Sequence, residues 1–338
     1  MSWWRRLGRH PRARSLARWL IGIAVVLLLL TGFDGSAVLT RLAASDVALA
    51  AAGIAGLTAA HVMAAATWRA LVGMTAGLRL PWSATLRCYY AGQALGGVTP
   101  GNLGGDVYRI HAMREGGHAF DASVAPIVIQ RATSYLALSC LGGAALVMLA
   151  SSSPVSTWIV VPAAGVSVLG GVLAAALLVP PRRLAGLHGR LVQFLGARAA
   201  GHESRVSARP TATVPWRATL VGFASGMAFH VGCILLTSLL VLAVDPGAIS
   251  LPAVSAVAVA RLSLAVPISP SGLGFQEGAL SVLFVGIGLA PETALAALLL
   301  GRVSLLATTL IGAAVLILDR QGAGRLADAR TAQQPGNP

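Results

Sequence analysis

The chain has 338 residues, of which 56% are hydrophobic and only 11% charged, and its mean hydropathy is +0.77. A soluble globular domain carries roughly 25% charged residues, so this composition excludes an ordinary soluble protein and marks a polytopic membrane protein. The net charge of +14 comes from 25 basic residues, all of them Arg. They collect in two blocks, 1–18 and Arg182 to Arg217, without the interleaved aromatics that stack on bases. That distribution follows the positive-inside rule rather than a nucleic-acid surface.

In chain order, residues 1–15 form a basic N-terminus expected in the cytoplasm. Leu16 to Phe33 is apolar. A basic flank before an apolar run has the form of a secretory signal, but since the rest of the chain is also apolar it is read as a first span. Asp34 to Asp46 is expected to be an external linker. Val47 to Thr67 is a second span, followed on the inside by Arg69, Arg79 and Arg87. Cys88 to Thr99 is too short for a hydrocarbon core that needs about 20 residues. The stretch that follows it, TPGNLGGDVYR (Thr99 to Arg109), breaks regular structure. The two together predict a re-entrant hairpin from the cytoplasmic side. Ala122 to Ala150 spans outward and carries Arg131, and Thr157 to Val179 spans back.

Residues 180–215 form a basic cytoplasmic loop. Its leucines at 184, 187, 191 and 195 suit either an amphipathic helix on the inner leaflet, drawn to anionic lipid, or a solvated loop. Trp216 to Val244 spans outward, and Asp245 to Pro252 is external. The apolar pieces Ala253 to Ile268 and Gly278 to Ala290 are each short for a span. They flank a second irregular stretch, SPSGLGFQE (Ser269 to Glu277), which predicts a hairpin entering from outside. Thr293 to Leu318 crosses inward with Arg302 in it, and 319–338 is a polar tail expected to be disordered.

The two irregular stretches are in register. Pro100 precedes Arg131 by 31 residues and Pro270 precedes Arg302 by 32; His61 and His230 precede those prolines by 39 and 40. Each half, about 16–150 and 157–318, reads span, span, hairpin, span, and the halves start on opposite sides. The expected fold class is therefore an all-α polytopic membrane protein with an inverted-topology repeat, about six full spans plus two re-entrant hairpins, in a single domain over 16–318. Proteins of that design bind substrate near the midplane, where broken helices meet.

Arg131, Arg261, Arg302, Asp106 and Glu277 all lie at membrane depth on this map. Each charge costs about 2.5–3.5 kcal/mol at a helix centre, so the residues must pair, face water or meet a charged ligand. The surplus of Arg suits phosphate, which matches the planar donor fork. The glycines at 101, 104, 105, 272 and 274 would let backbone N–H groups approach an anion. Internal pairing of Asp106 and Glu277 with arginines is the plainer alternative, as is an N-terminal dipole role. Asn102 suits a helix cap or a headgroup contact, and His61 and His230 suit packing more than proton carriage. Cys88, Cys140 and Cys233 lie singly, without metal-like spacing. There is no P-loop, no HExxH and no CxxC. No catalytic residue, metal or cofactor is expected.

PGNLGGDVYR with a downstream Gln-Arg in a span, then PSGLGFQE with a later Arg, resembles the lysylphosphatidylglycerol synthase transmembrane family. This is the flippase-like module at the N-terminus of the multiple peptide resistance factor, also found as stand-alone bacterial and archaeal membrane proteins. The resemblance covers about Leu16 to Leu318. It implies a module that moves lipids or lipid-linked headgroups between leaflets. The headgroup site it implies comprises Asn102, Gly104, Gly105, Asp106, Arg109, Arg131, Gly272, Gly274, Glu277 and Arg302. This chain departs from the family pattern at Gln130 and Ser134, where acids are common.

The expectation is thus a lipid flippase rather than an enzyme, in the cell membrane with both termini cytoplasmic. Its partners would be a membrane phospholipid or lipid-linked substrate, anionic inner-leaflet lipid, and a separately encoded lipid-modifying enzyme, with no nucleic acid. Lysyl transfer is not expected from this chain alone. The rival readings are an intramembrane transferase on a polyprenyl-phosphate, with Asp106 and Glu277 as base or metal ligands, and a non-catalytic subunit of a lipid or cell-envelope synthesis complex.

Overall fold

Helix ends in this chain are set by short polar side chains and glycines. The Asp34 carboxylate accepts from the N–H groups of Ser36 and Ala37, and Asp46 accepts from Leu49 N–H. Each thereby satisfies donors that the first turn of a helix leaves unpaired. Gly77 closes the second helix in the left-handed region at φ 68°, a conformation that suits a residue without Cβ. Ser250 caps a later helix by accepting from Ala253 N–H.

The computed structural model describes residues 34–99, 101–152, 157–178, 215–265, 269 and 271–318. Among them the chain is helical, with no strand. The α-helices in order are α1 (Gly35–Ala43), α2 (Val47–Ala76), α3 (Trp82–Gly97), α4 (Leu103–Glu115) and α5 (Phe120–Ser152). They continue with α6 (Thr157–Leu178), α7 (Trp216–Val244), α8 (Leu251–Ala260), α9 (Phe275–Gly286) and α10 (Pro291–Leu318). Short 3-10 turns occupy Pro246–Ala248 and Arg261–Ala265.

Four helices, α2, α5, α7 and α10, are long and apolar enough to cross a membrane, and shorter apolar helices accompany them. The protein is therefore a multi-pass, all-helical membrane protein. The expected first span at 16–33, the basic loop at 180–215 and the tail at 319–338 lie outside the described residues, apart from Pro215 at the loop's end. One expectation is corrected: 34–46 is not a plain linker but carries helix α1. Its N-cap Asp34 and the i to i+4 bond from Thr40 Oγ1 to Ser36 O hold that turn.

Helix packing relies on small residues, as expected where lipid replaces water and close backbone approach supplies the attraction. A Cβ at Gly53 or Gly56 of α2 would meet Leu240 or Leu236 of α7 at 2.5 and 2.4 Å. Gly222 and Gly226 of α7 lie against Thr133, Ser134 and Ala137 of α5. The tightest approach is α10 on α3, where a Cβ at Gly312 would lie 2.0 Å from Tyr90 O. Among the described residues two large cores result, with a small third cluster of Leu71, Ile129 and Ala218. One surrounds Trp68, Leu80, Tyr89 and Met113, from α2, the α2–α3 link, α3 and α4. The other surrounds Leu240, Val257, Leu283, Phe284 and Leu295, from α7, α8, α9 and α10.

The bundle has two chemically distinct ends. At one, Asp245 accepts from Arg41 Nη1 (2.8 Å) and Thr293 Oγ1 (3.2 Å), and Asp46 N–H donates to Ala243 O. These contacts gather the end of α1, the start of α2, the end of α7 and the start of α10. At the other end, Arg69 Nε donates to Leu80 O at 2.6 Å and its guanidinium lies over the Trp82 ring. Hence α3 starts beside the end of α2, and α4 returns along α3 through the Gly92–Gly105 contact.

Candidate functional site

The two irregular stretches fold into matching turns. Asn102 N–H donates to Thr99 O, and Gly272 N–H donates to Ser269 O. Gly101 and Asn102 have φ 62° and 58°; Ser271 and Gly272 have φ 48° and 69°. Three described positions of each turn thus correspond, Thr99, Gly101 and Asn102 with Ser269, Ser271 and Gly272. In each pair of turn residues only one is a glycine, so Asn102 and Ser271 hold left-handed conformations that side chains disfavour. Pro100 and Pro270 themselves lie outside the described residues. The second turn reaches the end of α3 that leads into the first: Ser271 Oγ donates to Gly97 O at 3.4 Å.

Each turn is held by an arginine 25 residues beyond an acid. Arg131 Nε donates to Asp106 Oδ2 at 2.8 Å and Arg131 Nη2 to Asn102 O at 3.1 Å. Arg302 Nε donates to Glu277 Oε1 at 2.6 Å, Nη1 to Ser271 O at 2.9 Å and Nη2 to Gly272 O at 3.2 Å. The guanidinium neutralises a buried carboxylate and binds carbonyls of the turn; of these, Gly272 O also accepts from Gln276 N–H at 3.0 Å. A single planar fork does both. The acids therefore pair with arginine, the plainer of the alternatives the sequence left open.

The acids use their second oxygens differently. Asp106 Oδ1 accepts from Arg109 Nη2, whereas Glu277 Oε2 accepts from Gly274 N–H at 2.9 Å. Arg109 also donates to Gln130 Oε1 at 3.0 Å and lies between the Trp68 and Tyr89 rings, 5.4 and 5.0 Å from their centroids. Gln130, where the family pattern often has an acid, passes its amide to Ala64 O. Ser134, the other departure, meets His230 Nε2 at 3.0 Å. His61 Nδ1 lies 2.7 Å from Gln93 Nε2, and Gln93 Oε1 accepts from Asn102 Nδ2. That chain makes His61 Nδ1 an acceptor, so the ring proton sits on Nε2.

Between the two turns lies a cavity of about 360 Å³, within the range of small-ligand sites. Five of the ten expected site residues line it: Asn102, Arg109, Arg131, Gly272 and Arg302. Asp106 and Glu277 stand behind the arginines, buried at 5% and 2% exposure. Gly104, Gly105 and Gly274 do not line it either. Gly104 N–H donates to Thr99 Oγ1, a Cβ at Gly105 would meet Gly92 O at 2.6 Å, and Gly274 N–H is the group bound to Glu277. These glycines serve close packing and local turns rather than an open nest.

The cavity wall holds residues that sequence motifs did not single out as site residues, among them Gln93, Tyr135, Phe229, Gln276 and Arg261. Arg261 was legible as a charge at membrane depth, but no glycine motif flagged it. Among the described residues, four arginines and no carboxylate line the wall. Among the described residues no group of three or more His, Cys, Asp or Glu could hold a metal ion.

A family model described as "Lysylphosphatidylglycerol synthase TM region" matches residues 15–312. The chain belongs to that family. Membership brings a membrane, lipid-related function with it, and it accounts for both Arg-clamped turns lying within one matched region. No curated protein matches the chain.

Proposed function

We propose that the protein is a lipid translocase that moves a phospholipid or lipid-linked headgroup between leaflets. The observation that carries the reading is the cavity between the two Ser/Thr-Pro turns, whose wall presents, among the described residues, four guanidinium groups and no carboxylate. Counting Asp106 and Glu277 behind it, Arg109, Arg131, Arg261 and Arg302 leave two positive charges in excess at membrane depth. Such an excess in apolar surroundings favours an anion. The headgroup would bind among Asn102, Arg109, Arg131, Gly272 and Arg302, with Gly104, Gly105, Asp106, Gly274 and Glu277 holding those groups in place.

The helix ends support an inverted repeat with opposed re-entrant hairpins. α3–α4 starts and finishes at the end that carries Arg69, Arg79, Arg87, Arg114 and Arg217. α8–α9 starts and finishes at the end that carries Asp34, Asp46, Asp245 and Glu292. By the positive-inside rule the arginine-rich end faces the cytoplasm of a cell-membrane protein, where anionic inner-leaflet lipid would gather. Opposed hairpins meeting at a cavity are the architecture of alternating access.

The transferase alternative needs a free carboxylate, and both candidates face arginine. A separately encoded lipid-modifying enzyme remains the partner this reading suggests. The test is flipping of fluorescent phospholipids in vesicles reconstituted with the wild type, Arg131→Gln and Arg302→Gln. The wild type is expected to translocate and both variants to insert but stall. Wild-type rates in both would overturn the proposal.

A further inference from the structure

The two halves of the cavity carry equal numbers of cations but satisfy them unequally. In the first half both carboxylate oxygens of Asp106 go to arginine, one to Arg109 and one to Arg131. In the second half Glu277 gives one oxygen to Arg302 and the other to the backbone N–H of Gly274. Nothing remains for the second half's other cavity arginine, Arg261. That residue starts the 3-10 turn after α8, is only 7% exposed and lines the cavity. Its Nε is buried with no hydrogen-bond partner among the described residues, and no ion pair forms to it there.

A buried guanidinium without a counter-charge is strongly unfavourable. The C-terminal carbonyl end of α8 offsets part of that penalty, since a cation suits the negative end of a helix dipole. Two more cavity-lining residues have a buried polar atom unpartnered among the described residues: His230 at Nδ1 and Ser269 at Oγ. Their counterparts in the first half are closed, His61 onto Gln93 and Thr99 onto the N–H of Gly104. Buried polar groups in folded proteins are nearly always paired, with protein, water or ligand. Three open groups lining one cavity, one of them a permanent cation, define where an incoming anion completes the structure.

We propose that Arg261, with Ser269 and His230 in the lining of the same cavity, is the subsite that takes the phosphate of the transported lipid, making substrate binding asymmetric between the two pseudo-equivalent halves. The proposal rests on the translocase reading for the identity of the anion's carrier. Arg131 and Arg302 then act as positioning residues that hold the turns, while Arg261 supplies the charge that changes partner during transport. A lipid phosphodiester and free phosphate share the required chemistry, and the experiment separates them.

The test is isothermal titration of the purified full chain in neutral detergent with dihexanoyl phosphatidylglycerol and, separately, inorganic phosphate. Wild type, Arg261→Gln, Arg261→Lys and Ser269→Ala are compared, with flipping of fluorescent phosphatidylglycerol in phosphatidylcholine vesicles measured in parallel. Arg261→Gln is expected to weaken phosphatidylglycerol binding about 10- to 100-fold, the loss of one charge-assisted hydrogen-bonding group. Arg261→Lys keeps the charge and loses the fork, so it falls between. Should Arg261→Gln fail to fold, Arg261→Lys and Ser269→Ala carry the test, each expected to weaken binding severalfold.

Affinity within twofold of wild type in every folded variant, or no binding by wild type, overturns the subsite. Inorganic phosphate binding as tightly as phosphatidylglycerol overturns the lipid assignment. Lipid flipping with unchanged Arg261→Gln affinity removes the subsite and leaves the translocase. Arg261-dependent binding without flipping keeps the anion site and removes the translocase.

Discussion

Replacing Glu277 by Gln should unfold the second turn through the charge it leaves behind. The carboxylate is 2% exposed and makes two bonds, to Arg302 Nε at 2.6 Å and Gly274 N–H at 2.9 Å. A glutamine has one carbonyl oxygen, so it can keep one of these bonds and cannot neutralise Arg302. Removing one partner of a buried ion pair costs about 3–5 kcal/mol, and that is the expected loss. The double variant Glu277→Gln/Arg302→Gln removes both charges. It still leaves the carbonyl of Ser271 without its guanidinium donor, at about 1–3 kcal/mol for a group left unpaired, whereas Gly272 O keeps the N–H of Gln276. The double variant should therefore lose less than the two single losses added together, by more than about 1 kcal/mol. Asp106→Asn should be worse than Glu277→Gln, because two guanidinium groups lose the same counter-charge. Equilibrium unfolding in mixed micelles, followed by tryptophan fluorescence, yields the four free energies of the cycle. Single losses that add to the double loss within about 0.3 kcal/mol would show that the acid and the arginine do not act as a pair.

Two further outcomes follow from packing and capping. Gly312→Ala puts a Cβ 2.0 Å from Tyr90 O, whereas Gly165→Ala meets nothing within 4 Å. The first should destabilise by about 1–3 kcal/mol through overpacking of α10 on α3. The second should be neutral or stabilise by up to about 1 kcal/mol through helix propensity, and equal melting shifts for the two would contradict the close approach. At the exposed start of α1, the Asp34 carboxyl is held below its ordinary value by the Ser36 hydroxyl and the N–H groups of Ala37 and Ser36. A depressed folded value stabilises the cap above the ordinary carboxylate range, and that stabilisation is lost as pH falls through the folded value. Amide resonances of Ser36 and Ala37 should titrate below the unfolded Asp value of 3.8, and Asp34→Ala should remove that step.

Much of the architecture was legible because membrane-length apolar runs and glycine-proline interruptions are strong local signals. Trp216 to Val244 was read from the apolar run alone, and α7 has those bounds. The matched spacing of Pro100 and Arg131 with Pro270 and Arg302 pointed to two turns that do form equivalent hydrogen bonds. Helix α1 was missed because its nine residues carry no membrane-length signal; its Asp34 cap was the available clue. The glycines were read as an anion nest, but glycine serves close helix approach as well, and only the three-dimensional contact with Gly92 and Leu95 O decides between them. Arg261 could not be ranked from sequence, because its distinction is the absence of a partner among the described residues. That depends on where Glu277 turns its second oxygen.

The acid-to-arginine spacing of 25 residues in both halves has one physical cause. A helix broken inside a membrane exposes carbonyls that neither water nor lipid can satisfy. An arginine from the following long helix can reach those carbonyls, but an unpaired guanidinium at that depth is itself unfavourable. A carboxylate in the first turn of the resumed helix neutralises it and is favoured there by the helix dipole. Turn, acid and arginine are therefore one folding unit, and the same unit built twice leaves a cavity lined by both of its clamping guanidinium groups. On that logic a ligand need not displace either clamp to bind; it needs only the cation that the second unit leaves over.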